Sequence, residues 1–376
     1  MALHVLIAPD KFKGTLTAAA AADAMAEGWL KARPHDKVRC LPISDGGDGF
    51  GEVLSNALGA QPQSLETVDA AHRPLSAQWW WEPQRRLAII ESARIIGLAL
   101  LPRGKYHPTA LDTFGLGAAL QAAAAKGARR CLVGIGGSAT NDGGFGLARA
   151  LGWQFFGPHQ RPIKSWPELV NLKTLVPPPK RCRLPITVAV DVQNRLLGKH
   201  GCTRIYGPQK GLTPADFPAA EAALRRLAMV MQRQFGKASH REPGSGAAGG
   251  LGFGLMAFLG ARCVPGFQLL ARHARLAQAL RQSDVVLTGE GALDASSLMG
   301  KGVGELAQMC AARKVPCLGL AGVIMPSHRW SRWFAGTLGL VELTNPEDAQ
   351  SRAAYWVTEA AAKLAGQFSA GLTNKV

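Results

Sequence analysis

The residues most suited to chemistry lie in a stretch between positions 131 and 147, CLVGIGGSATNDGGFGL. An apolar run at 131–135 with a strand's composition breaks at Gly136 and Gly137. Ser138, Thr140, Asn141 and Asp142 follow, and a second glycine pair leads into a helix-like run at 145–151. Glycine tolerates positive φ and lets a ligand approach main-chain N–H groups. Hydroxyls and a carboxamide beside those groups make a concave donor surface, which suits a phosphate at a helix N-terminus. A tight strand-to-helix turn rich in Asx and Ser/Thr caps is the competing reading. The length of the small and polar run exceeds what a turn needs, which favours an anion or nucleotide site.

Charged groups recur where other short apolar runs end. Residues 4–8 (HVLIA) read as a buried strand stopped by Pro9, after which come Asp10, Lys11 and Lys13. Residues 37–43 read as a second strand, followed by Ser44-Asp45-Gly46-Gly47-Asp48-Gly49. Asp45 and Asp48 among three glycines suit Mg²⁺ or a substrate hydroxyl; they suit a turn and a helix N-cap equally well. The run 184–190 ends in Asp191, with Asn194 just beyond and Lys210 between glycines downstream. Asp191 is also readable as a plain turn aspartate. The strand-like DVVLT at 284–288 runs into Glu290 and Asp294, and Gly300-Lys301-Gly302 opens a helix that extends to about 313. Residues 244–249 spell GxGxxG, with Gly246 and Gly249 inside it, but no strand precedes them. A dinucleotide fingerprint needs that strand.

These groups need a scaffold that sets strand ends side by side. Strand, charged loop and alanine-rich helix alternate at 4–31, 37–58, 116–151 and 284–313, the pattern of βαβ units. In open α/β sheets, ligands gather at the carboxyl ends of the strands. Residues 78–82 and 86–91 predict a β-hairpin in which two of Trp79, Trp80 and Trp81 share a face. That run suits sheet packing or an interface better than base stacking. Residues 158–179 are proline-rich and irregular. Residues 216–235 predict a helix with Leu224, Leu227, Ala228, Met231 and Phe235 on one face, which is core. Residues 346–364 predict the closing helix. There is no internal repeat.

A length of 376 residues suggests two domains, and 47% hydrophobic residues is ample for a core. The formal net charge of +17 fits nucleic acid, an acidic surface or anionic small molecules. The basic pairs are scattered, which favours a solvated basic surface. Seven cysteines lie apart with no CxxC pair, arguing against zinc and a disulfide framework and for a reducing, cytoplasmic setting. No signal peptide and no apolar stretch of about 20 residues is expected.

Taken together, seven blocks resemble the bacterial glycerate kinase family of the type without a Walker A loop. They are APDKFKGTLTA at 8–18, SDGGDGF at 44–50, IGGSATNDGGFG at 135–146, DVQNRLLGKHG at 191–201, YGPQKG at 206–211, PGSGAAGGLG at 243–252 and TGEGALD…GKG at 288–302. They stand in the family's order over nearly the whole chain. Two positions depart from its usual pattern: Arg195 replaces a proline and Ser44 replaces an alanine.

The resemblance implies ATP-dependent phosphorylation of D-glycerate with Mg²⁺, at the 2-hydroxyl rather than the 3-hydroxyl. It implies an α/β protein with two α/β domains: a discontinuous flavodoxin-like domain (1–68 and 268–376) and a second, mixed α/β domain inserted at 69–267, with the active site in the cleft. On this reading Asp191 is the base for the glycerate hydroxyl, with Asp10, Asp45 or Asp142 as rivals and Lys13 beside them. Lys11, Asp48, Asn194 and Lys210 meet the substrate. Gly136, Gly137, Ser138, Thr140, Asn141, Asp142, Gly246, Gly249 and Lys301 meet the phosphates of ATP. Glu290 and Asp294 hold Mg²⁺. The expected partners are ATP and D-glycerate, with no specific nucleic acid and no membrane, in a monomer or homodimer. An NAD(P)-dependent oxidoreductase and a basic nucleic-acid-binding protein are the alternatives.

Overall fold

The computed structural model describes residues 2–294, 297, 302–327 and 330–373. The chain divides into two compact units, Met1–Asp45 with Phe267–Val376, and Gly46–Gly266. In chain order the strands are β1 (His4–Ile7), β2 (Lys37–Cys40), β3 (Gln61–Val68), β4 (Pro74–Glu82), β5 (Leu87–Glu91), β6 (Arg130–Gly134), β7 (Gln154–Phe156), β8 (Thr174–Val176), β9 (Ile186–Val190), β10 (Arg262–Pro265), β11 (Val285–Leu293), β12 (Cys317–Ile324) and β13 (Gly336–Gly339).

The discontinuous unit is built on a five-stranded sheet in the order β13-β12-β11-β1-β2, parallel throughout. Strands covered on both faces read as unbroken apolar runs, and Val5–Leu6–Ile7 and Val285–Val286–Leu287 are buried accordingly. From β1 the chain steps one way to β2; it later returns on the other side and steps outward through β11, β12 and β13. The order is flavodoxin-like, and its reversal lies between β1 and β11. Crevices at such a reversal are where α/β sheets bind ligands. The helix Ala18–Ala32 is started by Thr17, whose hydroxyl accepts from Ala20 N at 3.1 Å. It packs on the helix Ala353–Thr373, where Gly28 lets the two backbones touch: a β-carbon there would collide with Thr358 O.

The other unit carries a mixed six-stranded sheet, β10-β9-β6-β5-β4-β3. β3, β4 and β5 form an antiparallel meander, and β5, β6, β9 and β10 run parallel. Trp79 and Trp81 enter one core cluster. Trp80 points to the opposite face, with Arg94 5.0 Å over its ring. A second core gathers Phe145, Trp153, Phe155, Trp166 and Phe253 against Leu224, Leu227 and Met231 of the helix Phe217–Phe235.

Four features differ from the sequence expectation. β3 pairs with β4, so residues 46–68 cluster with 69–266 and the change of unit falls at Asp45. The glycine-rich run at 243–252 leads into the helix Ala247–Leu259, whose Ala248, Gly249 and Gly250 have φ of 54°, 67° and 86°. The irregular stretch holds a short strand, β8, which pairs with β7 just before the stretch. The last helix is broken at Arg352 into Pro346–Ser351 and Ala353–Thr373.

Candidate active site

In the discontinuous unit, parallel strands deliver the ends of β1, β2 and β11 to one edge. Asp10 stands just after β1; its N–H donates to Gly289 O at 2.8 Å, and its Oδ1 accepts from Lys11 N at 2.7 Å. A β-carbon on Gly302 would lie 3.7 Å from Asp10 Oδ2, so this carboxyl sits at the N-terminus of the helix Gly302–Ala312. Burial pushes the Asp10 carboxyl up to about 7; Asp45 and Glu290 add to the push, and Lys11 with its N–H opposes it. Asp10, Lys11, Asp45 and Glu290 therefore form one interacting group at the sheet's reversal point. Lys13 is exposed on the same loop, and Asp294 Oδ1 accepts from Ser297 N at 3.3 Å. Lys301 lies outside the described residues.

Among the described residues, no three His, Cys, Asp or Glu side chains are gathered closely enough to hold a metal by themselves. Mg²⁺ commonly takes only one or two carboxylates, with phosphate oxygens and water completing its shell. Burial raises the Asp10 carboxyl first, and the repulsion from Asp45 and Glu290 that adds to the rise is a condition a cation relieves. The donor set at this edge fits Mg²⁺ held together with phosphates.

In the second unit the polar run after β6 is layered. Gly137 is exposed and Gly136 half-buried, while Ser138 to Asp142 are buried. The segment 46–49 lies on the outer part: Gly136 N donates to Gly46 O at 3.3 Å, and a β-carbon on Gly136 would lie 2.5 Å from Gly47 Cα. A β-carbon on Gly137 would strike Asp48 Oδ1. Beneath the run, Lys210 reaches up from the end of the helix Cys202–Lys210. Its ammonium donates to Ser138 Oγ at 3.1 Å and Thr140 O at 2.7 Å. Burial lowers the Lys210 amine to about 8, against the pull of Cys202 and Asp142. Asn141 Nδ2 donates to Thr203 Oγ1 at 3.1 Å. Among the described residues, Thr140 Oγ1 and Asn141 Oδ1 are buried with no hydrogen-bond partner.

Four expected binding residues have internal work. Asp142 Oδ2 accepts from Thr113 N, Thr113 Oγ1 and Gly146 N at 3.0, 2.7 and 2.9 Å, and Oδ1 from Gly144 N at 3.2 Å. Burial and Asp112 push it up to about 6 while these donors oppose the rise. It braces the loop. Asn194 Oδ1 accepts from Tyr206 OH at 2.6 Å, and its Nδ2 donates to His200 O at 2.8 Å, so both ends of the carboxamide clamp its own loop. Gly246 and Gly249 are buried, and β-carbons there would collide with Arg195 O and Thr140 O. Close backbone packing accounts for those glycines without a phosphate.

Asp191 stands exposed at the end of β9. Tyr206 is near enough that Asp191, after burial, contributes to pushing its phenol up to about 12. The structure thus assembles Asp48 with Gly136 and Gly137, Lys210 with Ser138, Thr140 and Asn141, and Asp191 with Tyr206 and Asn194. Thr113, Thr203, Tyr206 and Glu91 were not anticipated. Glu91 alone left a trace, as a carboxylate ending a strand; the others act through partners 12 to 62 residues away, which no local spacing displays.

A family model described as the glycerate kinase family matches residues 5–369. The chain belongs to the glycerate kinase family. It is 34% identical over 322 residues to a glycerate kinase of Halalkalibacterium halodurans, covering 85% of each chain. It is 33% identical over 326 residues to the glycerate 2-kinase of Escherichia coli K12, again covering 85% of each. A crystal structure of a Salmonella typhimurium LT2 protein assigned as glycerate kinase 2 superposes with a TM-score of 0.85 at 31% identity, covering 99% of this chain and all of that one. Membership of the glycerate kinase family removes the dehydrogenase reading of GxGxxG, whose glycines serve packing here. No helix among the described residues is long and apolar enough to cross a membrane.

Proposed function

We propose that this protein phosphorylates D-glycerate with ATP, yielding ADP and 2-phosphoglycerate. The observation that carries the reading is the match to the glycerate kinase family over residues 5–369. The acidic group at the reversal point of a flavodoxin-like sheet and the layered glycine loop with a buried lysine are what phosphoryl transfer asks of a protein. Such transfer depends on positioning and on neutralising charge.

In this reading Asp191 accepts the proton of the glycerate hydroxyl, since it is exposed at a strand's carboxyl end, where open α/β sheets gather their ligands. Gly136 and Gly137 offer main-chain donors to phosphate oxygens, and Asp48 beside them orients the acceptor. Lys210 supports that loop from below. Lys11 and Lys13 supply positive charge at the other unit's strand edge. Glu290, with Asp294 and the neighbouring Asp10 and Asp45, would hold Mg²⁺, which when bound offsets phosphate charge.

Protein incubated with ATP, Mg²⁺ and D-glycerate should release ADP in proportion to glycerate. Phosphorus NMR of the product should show the phosphate on the 2-position. Release no faster than an ATPase blank, across D-glycerate and related hydroxy acids, would refute the kinase reading. A 3-phosphoglycerate product would refute only the regiochemistry.

A further inference from the structure

The helix Phe50–Leu58 begins at Gly49, which has φ of 88° and no side chain to cap the first turn. The cap comes from another strand. Glu91, the last residue of β5, accepts from Gly49 N through Oε1 at 2.8 Å and from Gly51 N through Oε2 at 3.0 Å. A carboxylate at a helix N-terminus satisfies orphan amides and meets the positive end of the helix dipole. Glu91 is 4% exposed, and burial raises its carboxyl while the two amides and Arg94 oppose the rise. Arg94 Nε stands at an ion-pair distance of 3.7 Å from Glu91 Oε2, while its Nη2 donates to Glu52 Oε2 at 3.1 Å.

The segment so anchored is the one that lies on the glycine loop. Gly46 to Asp48 immediately precede the capped amides. Gly46 O accepts from Gly136 N, a β-carbon on Gly46 would lie 3.1 Å from the main chain of Ala189 in β9, and Asp48 stands over Gly137. We infer that Glu91 is a positioning residue for the acceptor substrate: by fixing the amides of Gly49 and Gly51 it sets where Asp48 stands over Gly137. This deepens, and rests on, the assignment of Asp48 to the acceptor substrate beside the phosphate-binding Gly137.

The test is Glu91→Gln in the full chain, assayed with ATP, Mg²⁺ and D-glycerate. A carboxamide offers one acceptor oxygen and turns a donor toward the second amide. Loss of a charge-assisted hydrogen bond of this kind should raise KM for D-glycerate by about tenfold or more. KM for ATP and kcat should stay within about threefold, the pattern of a lost acceptor-binding interaction. In a double-mutant cycle, Glu91→Gln should add little to Asp48→Asn, because the first acts through the second. Glu91→Asp keeps the charge but is one methylene shorter, and should fall between wild type and Glu91→Gln. An unchanged KM for D-glycerate, additive effects in the cycle, or loss of folded protein in both Glu91 variants would overturn the inference. A wild-type protein with no glycerate-dependent ADP release would instead sink the kinase reading itself.

Discussion

The ammonium of Lys210 donates to the main-chain oxygen of Thr140 at 2.7 Å. A lysine at 6% exposure has been drawn under the glycine loop to hold its backbone, and burial depresses its amine to about 8. The unfolded chain, with an ordinary lysine near 10.5, binds more protons than the folded one between these values. Stability therefore rises with pH across that window. Lys210→Met should remove this dependence, so the stability difference, wild type minus variant, should increase from pH 8 toward pH 10 in denaturant titrations. A flat difference would show that the buried amine is not depressed. The variant should also lose most activity, since Ser138 and Thr140 lose their brace.

Asp10 has the opposite sign. Its carboxyl moves from 3.8 to about 7 on folding, so between those values the folded protein holds a proton the unfolded chain has released. Stability falls as pH rises through that window. Asp10→Asn should flatten the fall, and the stability of Asp10→Asn relative to wild type should grow between pH 4 and pH 7. Chemical denaturation at a series of pH values reads this directly. If the two curves stay parallel, neither burial nor the neighbouring Asp45 and Glu290 raises the Asp10 carboxyl.

At Gly137 two constraints coincide, a φ of 72° and a neighbour, Asp48 Oδ1, where a β-carbon would go. Gly137→Ala should destabilise by about 1–3 kcal/mol, from backbone strain and overpacking together. It should also weaken D-glycerate binding by displacing Asp48. Thermal melting and KM measured on the same preparation separate the two effects. An alanine variant with wild-type melting and KM would mean that segment 46–49 is not held against the loop.

Asp191→Asn keeps the shape of the side chain and removes its basicity. Loss of a general base costs about 10²–10⁴-fold, here mainly in kcat with KM for ATP little changed. If Asp191 only helps to hold Mg²⁺, excess Mg²⁺ should restore part of the rate. A folded Asp191→Asn enzyme with near-wild-type kcat would move the role to Asp45 or Asp10.

Although β11 runs on past Glu290 to Leu293, the βα alternation, the start of the helix near Thr17 and the strand ends at Asp10 and Asp191 were legible in the sequence. Each rests on local periodicity or on a residue within a few positions of its effect. The pairing of Trp79 with Trp81 on one face followed from the two-residue repeat of a strand. The seven spaced blocks carried the family, because their order over the chain is itself a long-range pattern.

Tertiary structure decided the rest. Residues 61–68 join the second unit because β3 finds its partner in β4, a choice made by pairing and not by the polar, weakly patterned strand itself. The GxGxxG run resembles a phosphate loop, yet its glycines make room for Arg195 and Thr140 backbone, neighbours 51 and 109 positions back. Asp142 and Asn194 had the right chemistry for ligands and were taken up by Thr113 and Tyr206. A side chain's type states what it can bind, and the sequence shows that for every residue. Which group satisfies it is settled only when burial removes water and leaves the nearest partner in space.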